Sequence, residues 1–279
     1  MRHEFSCWAK KQIHDKQAFV LLGDIGVGSF LDGEELIPGV INLGINEQAM
    51  ISFAGGVAVS DRMVICHTIS PFLLERAYEQ IKLTIGYNEI KLILISPNGP
   101  FDYYKLGPTH HCVNDVILAD SIVGLDIYLP GCLSLLRESF KEAEKLDSAC
   151  YVRLTSRYAK YLKMQPVTNN LYMCKNDVEH SLQCNRAIIA IGEALSFVEK
   201  KKLELDFDVY TPLRIGNDDS LYFKDRYDEV IILEPYHGAV YSRLQRNNKK
   251  TKFISLQFEN LHHKIIKRDM GWEVFNGFF

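Results

Sequence analysis

An α/β fold with a mostly parallel sheet, followed by a second and smaller α/β domain, is what this 279-residue sequence predicts. Three observations carry the prediction. Short runs rich in Val, Ile and Leu recur between Phe19 and Leu154, with helix-length segments between them, the pattern of βαβ crossovers. The stretch Arg157–Asn185 breaks that rhythm: it is polar and carries Pro166 and Asn169-Asn170. From Arg186 the alternation returns. The expected division is therefore 1–157, a linker at 158–185, and a domain at 186–279, each domain within the usual size range.

Taken in order, the first domain's expected strands are Phe19–Gly23, Val40–Leu43, Met63–His67, Lys91–Ser96, Asp126–Leu129 and Tyr151–Leu154. Helical patterns lie at Glu47–Ser60, Phe72–Tyr87, Val113–Ile122 and Leu133–Leu146. In the linker only Leu171–Cys174 reads as a short strand. The second domain offers strands at Ala187–Ile191, Asp208–Thr211, Glu229–Leu233 and Lys252–Leu256, a short helix after the first of these, and a helix at Gly238–Gln245.

Composition narrows the function. A hydrophobic content of 47% with 24% charged residues is that of a globular protein, and a net charge of −3 gives no footprint for nucleic acid. The basic runs Lys200-Lys201-Lys202 and Lys249-Lys250 read as solvated faces. No segment has the length and apolarity of a membrane span, and the N-terminus lacks a signal-peptide core. The seven cysteines are scattered without CxxC pairing, which fits reduced thiols and a cytoplasmic protein.

Three segments could carry chemistry. Gly44-Ile45-Asn46-Glu47-Gln48 sits at a strand-to-helix junction and opens a helix whose Ala54, Gly55 and Gly56 permit close packing. Glu47 there is either a functional carboxyl in an apolar pocket or a residue that complements the helix dipole. Phe72-Leu73-Leu74-Glu75-Arg76-Ala77-Tyr78-Glu79-Gln80 follows. Then comes Gly107-Pro108-Thr109-His110-His111-Cys112-Val113-Asn114-Asp115-Val116, whose His110 carries an imidazole, a side chain suited to proton transfer.

In this order and spacing the segments resemble the pyrimidine-binding domain of transketolase-like thiamine diphosphate enzymes. Tyr151-Val152-Arg153-Leu154-Thr155-Ser156-Arg157 is similar to the Ile-Arg-x-Ser-Arg end of that domain's last strand, and Arg2 with Phe5 to its Arg-x-x-Phe opening, so the chain is expected to start where the domain starts. Residues 186–279 look like the transketolase C-terminal domain, on Ile191-Gly192-Glu193, Thr211-Pro212-Leu213 and Leu233-Glu234-Pro235-Tyr236-His237-Gly238.

The resemblance implies roles. Glu47 activates the coenzyme through its pyrimidine N1′. Phe72 packs the pyrimidine, and Asp24, in the turn Gly23-Asp24-Ile25-Gly26, orients the site or caps the turn. His110 faces substrate and assists proton movement, with His111 behind it. Arg157 grips a substrate phosphate or serves a structural ion pair. Arg76, one residue later than in the pattern Thr-Phe-Leu-x-Arg-Ala-x-Asp-Gln, and Gln80 are expected at the helix surface or in subunit contacts. Leu106 stands where sugar-handling relatives carry an Asp that reads an acceptor hydroxyl.

The family's Gly-Asp-Gly and spaced Asn, which hold the diphosphate through Mg²⁺, are not found in the sequence, so no metal site is expected here. The resemblance therefore implies a split enzyme. A separate subunit would bring Mg²⁺ and the diphosphate-binding domain, in an α₂β₂ assembly that includes self-association of this chain. The reaction implied is transfer of a two-carbon ketol unit from a ketose to an aldehyde. A 1-deoxyxylulose-5-phosphate synthase-like reaction, a 2-oxo-acid dehydrogenase β-subunit and a non-catalytic subunit of the same fold stay open.

Overall fold

The computed structural model describes residues 1–100, 102–174, 184–215, 223, 226–234 and 252–256. Two units divide the chain: Met1–Tyr128 with Arg137–Ser156, and Leu129–Leu136 with the residues from Arg157 onward.

The first unit opens with helix α1 (Arg2–Lys16), which the sequence pattern did not reveal. Its residues are mostly polar, and Phe5, Ser6, Ala9 and Gln12 turn inward. What fixes it is aromatic packing: the Phe5 ring lies 4.5 Å from His67, and Trp8 stacks on Phe140 at 4.4 Å. Trp8 and Gln12 also donate to the Glu144 carboxylate, at 2.8 and 3.0 Å.

Strand β1 (Phe19–Leu22) follows, then the small hairpin of β2 (Leu31–Asp32) and β3 (Glu35–Leu36), and β4 (Val40–Asn42). Helix α2 (Glu47–Ala58) leads to β5 (Val64–His67). Next comes a continuous helical stretch in which wide i→i+5 turns, Pro71–Arg76 and Lys82–Tyr87, flank α3 (Tyr78–Ile81). Strand β6 (Ile93–Ser96), helix α4 (Asp115–Asp120), strand β7 (Leu125–Tyr128), helix α5 (Leu133–Lys145) and strand β8 (Ala149–Arg153) complete the series.

Within this unit the strands are ordered β7-β8-β6-β5-β1-β4, and every neighbouring pair is parallel. Strands β5, β6 and β8 are buried along their whole length, as expected for a parallel sheet covered on both faces by crossover helices.

In the second unit the stretch expected as an interdomain linker is corrected. Residues of 158–185 supply β9 (Met164–Pro166) and β10 (Leu171–Cys174), an antiparallel pair at the edge of that unit's sheet. Pro166 is tolerated there because an edge strand has one side free of ladder bonds. Strand β11 (Arg186–Ala190), helix α6 (Ala194–Lys201), β12 (Asp208–Pro212), the two-residue β13 (Arg214–Ile215), β14 (Glu229–Leu233) and β15 (Lys252–Leu256) follow. The sheet order is β15-β14-β11-β12-β10-β9, parallel from β15 to β12. Glu199 of α6 fastens the approach to β9 by accepting the N–H groups of Lys160, Tyr161 and Leu162 at 3.0, 2.6 and 3.0 Å. The helix expected at Gly238–Gln245 lies outside the described residues.

No helix among the described residues is long and apolar enough to cross a membrane. All seven cysteines are free thiols.

Candidate functional site

An open parallel sheet leaves its ligand crevice beyond the carboxyl ends of its strands. The candidate residues of the first unit lie on the loops that leave those ends: after β1, β4, β5 and β6.

Glu47 is the first residue of α2, and only 1% of its side chain is exposed. One carboxylate oxygen, Oε2, accepts a hydrogen bond from Arg76 Nη1 at 2.7 Å. The other, Oε1, is buried with no partner. An unmet buried acceptor costs roughly 1–3 kcal/mol, so this oxygen is poised for a donor that the chain itself does not provide.

Close packing shapes the floor. A Cβ on Gly23 would lie 3.0 Å from Thr68 Cβ and Oγ1 and 3.4 Å from Glu47 Cγ. Any larger residue would press on Thr68, with Glu47 next to it.

Asp24, next in the chain, adopts a left-handed φ of 60° and is exposed. Its backbone N–H donates to Asn42 Oδ1 at 3.0 Å, and Asn42 Nδ2 donates to Asp24 Oδ1 at 3.1 Å. Asn42 Oδ1 also accepts the Gly44 N–H at 3.1 Å, so Asn42 ties the turn after β1 to the segment that leads into Glu47. Asn42 was not singled out from sequence, because a lone Asn at a strand end carries no motif.

Phe72 and His110 meet. Their ring centroids are 5.3 Å apart in an edge-on arrangement, and Tyr103 lies edge-on to His110 at 6.4 Å. His110 Nδ1 is 2.9 Å from Thr109 Oγ1. Tyr103 is itself held by Arg2, whose Nη2 donates to its hydroxyl at 2.7 Å, while Nε donates to the Pro97 carbonyl at 3.1 Å. The other face of the cluster is Arg76, its guanidinium carbon 4.1 Å from the Phe72 centroid. Glu47, Arg76, Phe72, His110 and Tyr103 thus form one contiguous line of contacts.

Arg76 was expected at the helix surface or in subunit contacts; the structure leaves its side chain 40% exposed and also pairs it with Glu47. Phe72 and Arg76, four residues apart in the helical stretch Pro71–Arg76, share one face of it.

His111 is half-buried and donates its backbone N–H to the Pro108 carbonyl at 3.3 Å. Leu106 is 57% exposed, just before Gly107, whose φ of 82° suits glycine. Behind the loop, Cys112 is buried, and burial, then the neighbouring Asp115 and Glu75 carboxylates, push its thiol pKa well up, so it stays protonated. Ser156, the last residue of the unit, is clamped by Asp102, whose carboxylate accepts its N–H at 2.9 Å and its hydroxyl at 2.7 Å. Arg157 follows as part of the second unit. The structure therefore brings Glu47, Phe72 and His110 together, pairs Asp24 with Asn42, and assigns Arg157 to the other unit. Among the described residues no group of three or more His, Cys, Asp or Glu side chains could hold a metal ion. What the cluster offers chemically is a buried carboxylate with one open oxygen, beside an aromatic ring and an imidazole.

Comparisons with known proteins agree with this architecture. The chain is 32% identical over 148 residues to an uncharacterised 33.6 kDa protein of the fasciation locus of Rhodococcoides fascians, a match covering 53% of this chain and 47% of that one. One of the subunits of the apulose-4-phosphate transketolase of Actinobacillus succinogenes is 28% identical over 118 residues, covering 42% of this chain and 38% of the relative. The matches thus span less than half the length of these curated relatives. Among solved structures, a split-gene transketolase described as an inactive β4 tetramer superposes with a TM-score of 0.70 at 17% identity, covering 92% of this chain and 87% of that one, which shows a shared fold. The family described as transketolase, pyrimidine-binding domain matches residues 9–158, more than half of the sequence, and the chain belongs to that family.

Proposed function

We propose that this chain is the C-terminal subunit of a two-component, thiamine diphosphate-dependent transketolase that moves a two-carbon ketol unit from a ketose to an aldehyde acceptor in sugar metabolism. One observation carries the reading: the buried, unpartnered Oε1 of Glu47 beside the Phe72–His110 ring pair. The relative from Actinobacillus succinogenes, itself named as one subunit of a transketolase, supports a two-component arrangement. The transketolase family uses thiamine diphosphate and a divalent metal.

When bound, the coenzyme supplies the nucleophilic carbon that holds the two-carbon unit. The chain's own residues do the rest. Glu47 shares a proton with the pyrimidine nitrogen N1′ through Oε1, which answers the unmet acceptor at that atom. Phe72 packs against the pyrimidine and excludes water. Asp24, through its pairing with Asn42, sets the turn that borders Glu47. His110 moves a proton to or from a substrate hydroxyl, with His111 supporting the loop. Arg157 binds a substrate phosphate, a task suited to a guanidinium fork.

The family's Gly-Asp-Gly and spaced Asn are not found in the sequence, so Mg²⁺ and the diphosphate are assigned to a separate subunit. An α₂β₂ complex with self-association of this chain follows, in the reducing cytoplasm that seven free thiols favour. Leu106, exposed where related enzymes read a hydroxyl, points to an acceptor other than a common aldose phosphate.

Glu47→Gln in the reconstituted complex tests the proposal. Turnover should fall by about a hundredfold or more, in the range general acid–base groups contribute, while the complex still assembles. Turnover equal to that of the unmodified complex would remove Glu47 from the mechanism and the proposal with it.

A further inference from the structure

Among the described residues Arg76 donates a close hydrogen bond to the Glu47 carboxylate, and the pair is not an ordinary surface ion pair. The Glu47 carboxylate is buried, whereas the Arg76 side chain is 40% exposed, so the arginine reaches inward from the mouth of the site. Its guanidinium is restrained twice: Nη1 sits 2.7 Å from Glu47 Oε2, and the guanidinium carbon lies 4.1 Å from the Phe72 ring centroid. A planar cation held over an aromatic ring loses less freedom on forming each hydrogen bond than a flexible ammonium would. Residues 72 and 76, four apart in the helical stretch Pro71–Arg76, lie on the same side of it. The consequence is an asymmetric carboxylate. Oε2 is taken by Arg76, and Oε1 is left buried without a donor.

Resting on the functional reading above, we propose that Arg76 is the positioning residue of Glu47. It fixes the carboxylate through Oε2, so that Oε1 alone remains to meet the coenzyme's N1′, and it couples that orientation to Phe72. No bond is made or broken by Arg76, and its proton stays on the guanidinium. Without it, the carboxylate is free to rotate and either oxygen competes for the same donor. The alternative outcome is that the guanidinium merely occupies the place of the ring and is displaced by it; the two roles predict opposite changes in affinity.

The experiment compares Arg76→Ala, Arg76→Lys and Arg76→Gln in this chain reconstituted with its diphosphate-binding subunit. Titration calorimetry with thiamine diphosphate and Mg²⁺ gives affinity, thermal unfolding reports the fold, and steady-state rates separate kcat from the sugar KM. Arg76→Ala should weaken coenzyme binding by about tenfold to a hundredfold, the equivalent of a lost charge-assisted hydrogen bond. It should also lower kcat at saturating coenzyme with the sugar KM unchanged. Arg76→Lys should recover part of the loss, since it restores the charge without the planar contact. Millimolar methylguanidinium should restore binding to Arg76→Ala and leave the unmodified protein unaffected, which a general loss of packing would not do.

Unchanged or tighter binding in a folded Arg76→Ala would overturn the assignment. Should Arg76→Ala fail to fold, affinity and kcat in Arg76→Gln equal to those of the unmodified complex would overturn it. An unmodified complex that binds no thiamine diphosphate would sink the proposed function itself. Normal binding that is indifferent to residue 76 would sink this inference alone.

Discussion

Arg153 and Asp115 form an ion pair withdrawn from water: Arg153 Nη1 lies 2.9 Å from both Asp115 oxygens, and their side chains are 1% and 0% exposed. Tyr151 donates its hydroxyl to Asp115 as well, at 2.9 Å. The pair joins β8 to the first turn of α4, and so anchors the downstream end of the loop that carries His110 and His111. Burial, with the Asp115 charge beside it, pushes the Tyr151 hydroxyl pKa well up, so that the group remains a donor.

Breaking this pair from one side should be severe. Arg153→Met leaves the Asp115 charge buried without its partner, and the expected cost is about 3–5 kcal/mol. Replacing both, as Arg153→Met with Asp115→Leu, should cost less than the two single changes added together, because no charge is left unpaired. Urea unfolding of the three variants checks this. A loss under about 1 kcal/mol for Arg153→Met would mean that the pair does not hold the loop.

Gly23 is the second test. Adding one methyl group forces contacts of 3.0 Å with Thr68 and 3.4 Å with Glu47. Overpacking of this kind costs about 1–3 kcal/mol, and here it falls on Thr68, with Glu47 Cγ as the next neighbour to be moved. Gly23→Ala should therefore weaken thiamine diphosphate binding in the reconstituted complex as well as lower the melting temperature. A variant that melts earlier but binds the coenzyme normally would separate the Gly23 packing from the site.

His67 gives a pH dependence. The imidazole is 3% exposed, and Nδ1 lies 3.1 Å from the Ile95 carbonyl. Burial, opposed by that hydrogen bond, lowers its pKa to about 3 from 6.5. The unfolded chain thus takes up a proton that the folded chain refuses between those values. Stability should fall as the pH drops below about 6.5, by up to about 1.4 kcal/mol per pH unit from this group, until about pH 3. Denaturant unfolding at pH 7 and pH 5 measures it. In His67→Phe the difference between the two pH values should shrink, and an undiminished difference would assign the effect to other groups.

Most of the first unit was legible because its signals are local. Runs such as Val64–His67 and Ile93–Ser96 are apolar throughout, as strands covered on both faces must be. Glu47 stood out because Gly44-Ile45-Asn46-Glu47-Gln48 is followed, in order and spacing, by Phe72–Gln80 and Gly107–Val116, a combination that resembles a known family. Helix α1 escaped notice since its buried face is a few residues among charges, and its partners Phe140, Glu144 and His67 lie far along the chain. Strand β9 escaped for a related reason: it is a three-residue edge strand containing Pro166, and its pairing with β10, which was expected, supplies what its own residues lack.

The sequence alone determined the alternation of strands and helices, the parallel sheet, and Glu47, Phe72 and His110 as candidates, because periodicity and residue type at fixed spacing are written along the chain. Only the tertiary structure decided which groups touch. Twenty-nine positions separate Glu47 from Arg76, and nothing local to either segment announces that the two meet. The same holds for Asp24 with Asn42 and for Asp115 with Arg153. Pairings between loops and strands depend on the register of the sheet beneath them, and that register is set by packing of the whole unit rather than by any segment within it.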